Sequence, residues 1–331
     1  MLSVVPHKRY IDIDTLSGIL ILQMIFVVHC AKLSGIKGII IDKEMLIMQF
    51  FMPWFFYKSG MFYHVSPIGD TIKKGIRHLI KPFIIFSLVG WLVIVVVPGM
   101  FLFHRDIGFL VNDTIRHFLF DGSIRGNYAL WFLLSLFIVK CIFSILNNIH
   151  VPIFIIVATG SVFAFAHNRY LYNMPVYLGN ISNGLLFYSL GYLMRKTQYQ
   201  RYMLITSLAA FLAMIPFTGY LDFRANAILQ GSNNYFITEV FNFCEIIIAN
   251  NIVRSWGGCN RMNILATVGQ STMILYVTHY IILVVSENAL TILLRVSNPY
   301  VMFGFNSLAL IAMLTIIYFA FKNQALKRLC F

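Results

Sequence analysis

Residues 13–31 read IDTLSGILILQMIFVVHCA, from Ile13 to Ala31. Between Ser17 and His29, Gln23 alone interrupts the apolar side chains and Gly18. A helix needs about 20 mostly apolar residues to cross the hydrocarbon of a bilayer, and this stretch has that length. It carries an acid near its start, Asp14, and an imidazole near its end, His29. At the helical rise and rotation per residue, the two lie about 60° apart in azimuth and about 22 Å apart along the axis. Both can face a bundle interior, at opposite depths.

Nine further runs share this character. In order, the ten are Ile13–Ala31, Met45–Tyr63, Pro82–Phe103, Ala129–Leu146, Val151–Ala166, Tyr177–Met194, Met203–Phe217, Tyr235–Val253, Thr272–Leu293 and Val301–Phe321. They predict an all-α, polytopic membrane bundle of about ten spans, a single domain over residues 1–331. The longest connections, Arg105–Tyr128 and Thr218–Asn234, are too short for a separate folded module. Composition agrees. Hydrophobic residues make up 59% of the 331 and charged residues 11%, against about 45–50% and about 25% in soluble chains. A soluble surface cannot be built from that charge fraction, and 31 Phe with 17 Tyr exclude a disordered chain.

The net charge is +13. Its basic residues gather at the ends of apolar runs, the arrangement that orients membrane helices, so nucleic acid is not an expected partner. With the N-terminus placed in the cytoplasm, 15 Lys and Arg fall inside and nine outside, while Lys58 lies within the second run. Both termini are therefore expected on the cytoplasmic side of the inner membrane. The apolar run after Lys8-Arg9 is full-length and lacks a small-residue cleavage site, so it reads as a retained span. Cys30, Cys141, Cys244, Cys259 and Cys330 form no CxxC pattern, which disfavours a metal site and a disulfide framework.

Ionisable side chains are costly in hydrocarbon, so each one inside a run is a candidate for function. Each also has a plainer reading. Asp14 suits a helix start, and His29 can sit at an interface; imidazole is also the side chain best suited to accept a proton near neutral pH. Thr272, Tyr276 and His279 share one face of the ninth run, as an active-site wall or as a helix–helix hydrogen-bond seam. Glu239 and Asn242 share a face, Glu245 lies further round, and Lys58 is expected to pair with one of the acids. Lys73, Lys74, Arg77 and Lys81 form the densest inner cluster. It serves topology and anionic lipid, or it binds a phosphorylated ligand, since Arg77 and Lys81 are one turn apart. Nucleotide-binding glycine loops, GxSxG and HExxH are absent from the sequence.

Read in order, several segments resemble the acyltransferase-3 family of integral membrane proteins. Asp14-Thr-Leu-Ser-Gly, followed by His29, is similar to that family's opening Asp-x-Leu-Arg/Lys-Gly and His. Phe50-Phe-Met-Pro-Trp-Phe-Phe-Tyr-Lys-Ser-Gly resembles its Phe-Phe-x-Ser-Gly helix, and Arg77-His-Leu-Ile-Lys-Pro82 its Arg-x-x-x-Arg-Pro. Leu130-Trp-Phe-Leu-Leu and the run from Gly269-Gln-Ser to Tyr276-Val-Thr-His279 match two more motifs; Leu190-Gly-Tyr-Leu-Met-Arg-Lys adds a weaker one. Ser17 stands where the family has Arg or Lys. The spacing to His29 is one residue longer, which swings the imidazole by about 100° unless a π-bulge absorbs it.

The resemblance implies O-acylation, usually O-acetylation, of a cell-envelope or exported carbohydrate, free or lipid-linked. Acyl-coenzyme A would be the cytoplasmic donor, with no permanently bound cofactor. His29 is implied to be catalytic, as base or transient acyl carrier. With it go His279 and Tyr276 as orienting groups, Asp14 in the same first-helix motif, and Lys74, Arg77 and Lys81 as the donor's phosphate site. The rival class is a proton-coupled glycan or anion transporter built on Glu239, Glu245, Lys58 and the histidines. A third is a scaffold with a degenerate site, for which Ser17 speaks.

Overall fold

The computed structural model describes residues 10–36, 50–120, 124–170, 174–216, 235–256, 262–293 and 295–322. The start of the second run, the Thr218–Asn234 connection, Lys8, Arg9, Cys259 and Cys330 lie outside them. Among the described residues every regular element is helical. In chain order these are α1 (Ile11–Leu33), α2 (Phe51–Met61), α3 (Ile68–Phe101), α4 (Ile107–Phe120), α5 (Trp131–Asn148), α6 (Ile153–Tyr170), α7 (Ile181–Met194), α8 (Arg201–Met214), α9 (Tyr235–Ser255), α10 (Met262–Gln270), α11 (Thr272–Asn288) and α12 (Pro299–Lys322).

Six of the helical bodies, those of α1, α3, α5, α9, α11 and α12, are long and apolar enough to cross a membrane. Among the described residues α7 and α8 are shorter, at 14 residues each, and the start of the second run, ahead of α2, lies outside them. The third run extends further than its sequence suggests, because α3 begins at Ile68, not at Pro82. A proline inside an α-helix lacks a donor and clashes with the preceding turn. Here a widened π segment, Ile76–Ile80, lies one residue before Pro82, and another, Trp91–Val96, one residue before Pro98. Each loosens the turn that the ring would otherwise strike.

Two close helix crossings hold the bundle, and both are made by glycines of the motifs above. A side chain at Gly18 of α1 would strike the Leu265 carbonyl of α10, and one at Gly269 would strike the Asp14 carbonyl. Gly60 of α2 and Gly191 of α7 are likewise closed by the backbones of Tyr188 and Tyr57. In lipid, such close approach replaces hydrophobic burial as the source of helix association. A buried polar knot joins α2, α9 and the turn after α7. Tyr57 donates to Gln198 Oε1 at 3.0 Å, Asn250 to the same oxygen at 3.1 Å, and Trp54 to Asn250 Oδ1 at 3.1 Å.

The Arg105–Tyr128 connection is not a plain loop. It contains α4, whose start is capped by Asp106 Oδ2 accepting from the Gly108 and Phe109 amides at 2.7 and 3.3 Å. One face of α4 returns along α3: Leu110 meets Gly99, and Trp91 Nε1 donates to Thr114 Oγ1 at 2.8 Å.

Candidate active site

His29 and His279 meet. His29 Nδ1 lies 2.7 Å from His279 Nε2, and the rings are nearly parallel, with centroids 4.9 Å apart. Two local features of α1 and α11 produce this contact. The segment Gln23–Cys30 is a π-helix, which takes up the extra residue between Ser17 and His29 and keeps the imidazole on the inward face. On α11, His279 is fully buried, and its Nδ1 faces the backbone carbonyls of Tyr276 and Leu275 at 2.8 and 3.1 Å.

Those carbonyls assign the protons. They accept, so His279 Nδ1 carries hydrogen and its neutral Nε2 is an acceptor. The 2.7 Å contact then requires the hydrogen on His29 Nδ1, which leaves the lone pair of His29 Nε2 available. No hydrogen bond to that nitrogen occurs among the described residues. This is the geometry of an orienter and a base in series, which general-base catalysis can use.

Three cavities that share wall residues lie between the start of α1 and the pair. The first, about 760 Å³, lies at the end of the bundle where α1 begins and α2 and α7 end; Tyr10, Asp14, Phe62, His64, Arg195, Lys196 and Tyr199 line it. The second, about 320 Å³, shares Phe62 with the first and adds Lys58, Lys140, Met52 and Tyr276. The third, about 40 Å³, shares Met52 and Tyr276 with the second and includes His29 and Trp131. Apolar walls with two ammonium groups midway suit an apolar arm whose carbonyls need a donor.

The structure joins some expected site residues and separates others. Tyr276 lies one turn from His279, between the second and third cavities, with its hydroxyl bound to the Ala129 carbonyl. Asp14 is not with the histidines; it lines the first cavity, at the far end of α1. Lys74 and Arg77 are exposed on α3 and Lys81 is half-buried, and none of them lines the three cavities. The basic side chains that line the first cavity are Arg195, Lys196 and His64.

Lys58 does not pair with the acids of α9. Its ammonium donates to Ser17 Oγ at 2.5 Å and lies 5.4 Å from the centre of the Trp54 ring. Glu239 and Glu245 are buried and make no ion pair among the described residues. The small Ser17 side chain gives the long lysine stem a place to end on α1. The sequence signal was available: a small polar residue where a cation was expected, and a cation on the neighbouring helix.

No curated protein and no solved structure matches the chain. The acyltransferase-3 family model, described as an acyltransferase domain, matches residues 10–322. A helical membrane bundle with a histidine pair at the end of a cavity series accords with that match, and the chain belongs to the acyltransferase-3 family.

Proposed function

We propose that the protein is a multi-pass O-acyltransferase of the inner membrane, a single domain of about ten membrane segments with both termini cytoplasmic. It moves an acetyl or other short acyl group from cytoplasmic acyl-coenzyme A to a hydroxyl of a cell-envelope or exported carbohydrate, free or lipid-linked. The observation that carries this reading is the His29–His279 contact at the end of the three cavities. Positive charge favours the cytoplasmic side for the end bearing Arg195 and Lys196. The donor enters there, with its phosphates near those cations and its acyl-pantetheine arm passing Lys58 and Lys140 towards His29. The exposed cluster of Lys74, Arg77 and Lys81 attracts the anionic donor and anionic lipid headgroups to the same face.

The chemistry is a balanced exchange. His29 Nε2 takes the proton of the acceptor hydroxyl, and the oxygen attacks the thioester carbonyl. The carbon–sulfur bond then breaks, and the coenzyme A thiolate receives the proton from His29. His279 holds the His29 ring in the required tautomer. Tyr276, its hydroxyl engaged by Ala129, serves as a fixed wall, and Asp14 acts at the donor's cavity.

Acetyl-coenzyme A binding to the purified protein in nanodiscs tests the reading before any acceptor is known. Saturable binding that weakens in Arg195→Ala/Lys196→Ala supports it. A well-folded protein that binds no acyl-coenzyme A, or one that moves a glycan into vesicles without it, would be a transporter instead.

A further inference from the structure

A further cavity, about 240 Å³, lies beyond the histidine pair and outside the donor's route. Its walls are Ile94, Val95 and Pro98 near the end of α3, the Arg125–Gly126 turn with Tyr128, and Tyr280 with Val284 of α11. These α11 residues are one to two turns past Tyr276, the wall of the donor cavities. The Tyr280 ring stands edge-on to His29 at 5.9 Å and to His279 at 6.5 Å. The cavity is therefore one aromatic ring away from the proposed base.

Arg105 and Arg125 line this cavity, and no carboxylate does. Arg125 is fixed on two of its nitrogens: one is 2.7 Å from Asp113 Oδ2 and the other 3.1 Å from His117 Nε2. Its Nε–H is buried and has no acceptor among the described residues. The neighbouring Gly126, at φ +101°, approaches Gly90 so closely that any side chain would collide, which pins Arg125 against α3. Arg105 is exposed, 5.8 and 5.5 Å from the Phe103 and Phe109 ring centres, and makes no ion pair among the described residues. A buried donor without an acceptor is costly, and guanidinium groups favour carboxylate and phosphate oxygens. The Tyr280 hydroxyl also has no partner among the described residues, so one wall offers a ring face with a free polar tip.

We propose that this cavity holds the acceptor and selects one with an anionic group, a carboxylate or a phosphate, close to the hydroxyl that is acylated. The proposal rests on the acyltransferase reading above. Arg125 and Arg105 take the anion, and Tyr280 sets the sugar ring beside His29. A neutral glycan leaves the exposed Arg105 guanidinium without an anion and binds more weakly.

The test titrates the protein in nanodiscs with methyl β-glucuronide, glucose 1-phosphate and methyl β-glucoside, read by ligand-observed NMR. At least one acidic probe is expected to bind about tenfold tighter than the neutral one, and the tighter one identifies the anion as carboxylate or phosphate. Arg125→Ala and Arg105→Ala should bring the ratio towards parity, and Arg125→Lys should restore part of it. Arg105 is exposed and apart from the Asp113 pair, so its variant stays informative if Arg125→Ala fails to fold. Equal binding of the three probes, no binding of either acidic probe, or a preference undiminished in Arg105→Ala overturns the proposal. Acetyl-coenzyme A binding on the same sample separates the two readings. Donor binding without acidic preference removes the cavity assignment alone. Acidic preference without donor binding removes the acyltransferase reading.

Discussion

Lys58 of α2 places its ammonium 2.5 Å from Ser17 Oγ of α1. The first-helix motif that this chain resembles carries Arg or Lys at the place of Ser17. We take this ammonium, which lines the second cavity, as the replacement for that cation, supplied from the adjacent helix. On that proposal Ser17 marks a relocated cation, in place of the lost site of the scaffold reading.

A double-mutant cycle checks this exchange. Ser17→Lys alone sets two ammonium groups together, and Lys58→Ser alone removes the charge; each should lower acetyl-coenzyme A turnover. The Ser17→Lys/Lys58→Ser combination should recover activity, with a coupling of about 0.5–3 kcal/mol. Additive losses would show that the two positions are independent.

The glycine crossings should be intolerant of even a methyl group. Gly269→Ala drives a Cβ into the Asp14 carbonyl, and thermal unfolding in detergent should register a loss of about 1–3 kcal/mol. Gly304→Ala is the matched control, because no heavy atom of a neighbour lies within 4 Å of a Cβ built there.

Removing the centre of the polar knot should destabilise the bundle. Gln198→Leu leaves the Tyr57 hydroxyl and the Asn250 amide without an acceptor, at about 1–3 kcal/mol for each buried group. Unfolding midpoints would report it; an unchanged midpoint would mean that water or other groups replace Gln198.

His279 is argued to act through His29 and not on the acceptor. His279→Ala should lower kcat by about 10²–10⁴-fold, and His279→Gln, whose carbonyl can still accept from His29 Nδ1–H, should retain more activity. The acceptor's proton needs an unprotonated base. Activity should therefore fall as pH decreases through the titration of the pair, with KM for the donor little changed.

Much of this was legible in the sequence, and the failures have physical causes. The class of fold followed from composition and run length. His29 and His279 followed from polar residues in apolar runs, and the π segment from one surplus residue between Ser17 and His29. Pro82 misled because its helix-breaking tendency is local, whereas the π segment that accommodates it shows only in the backbone. Asp106 was a readable cap for α4, yet the surrounding polar residues resembled a loop. The cluster of Lys74, Arg77 and Lys81 was legible because charge density along a sequence is visible. Arg195 and Lys196 come to a cavity through the meeting of α1, α2 and the turn after α7, which no single segment encodes. Lys58 looked like half of an ion pair because a hydroxyl on a neighbouring helix is a weaker sequence signal than an acid.

The most direct measurement is transfer of labelled acetyl from acetyl-coenzyme A by wild type and His29→Ala in nanodiscs, with donor binding measured on the same preparations. The account expects His29→Ala to bind the donor and to lose about 10²–10⁴-fold in turnover. A folded His29→Ala protein with full transfer activity would contradict it.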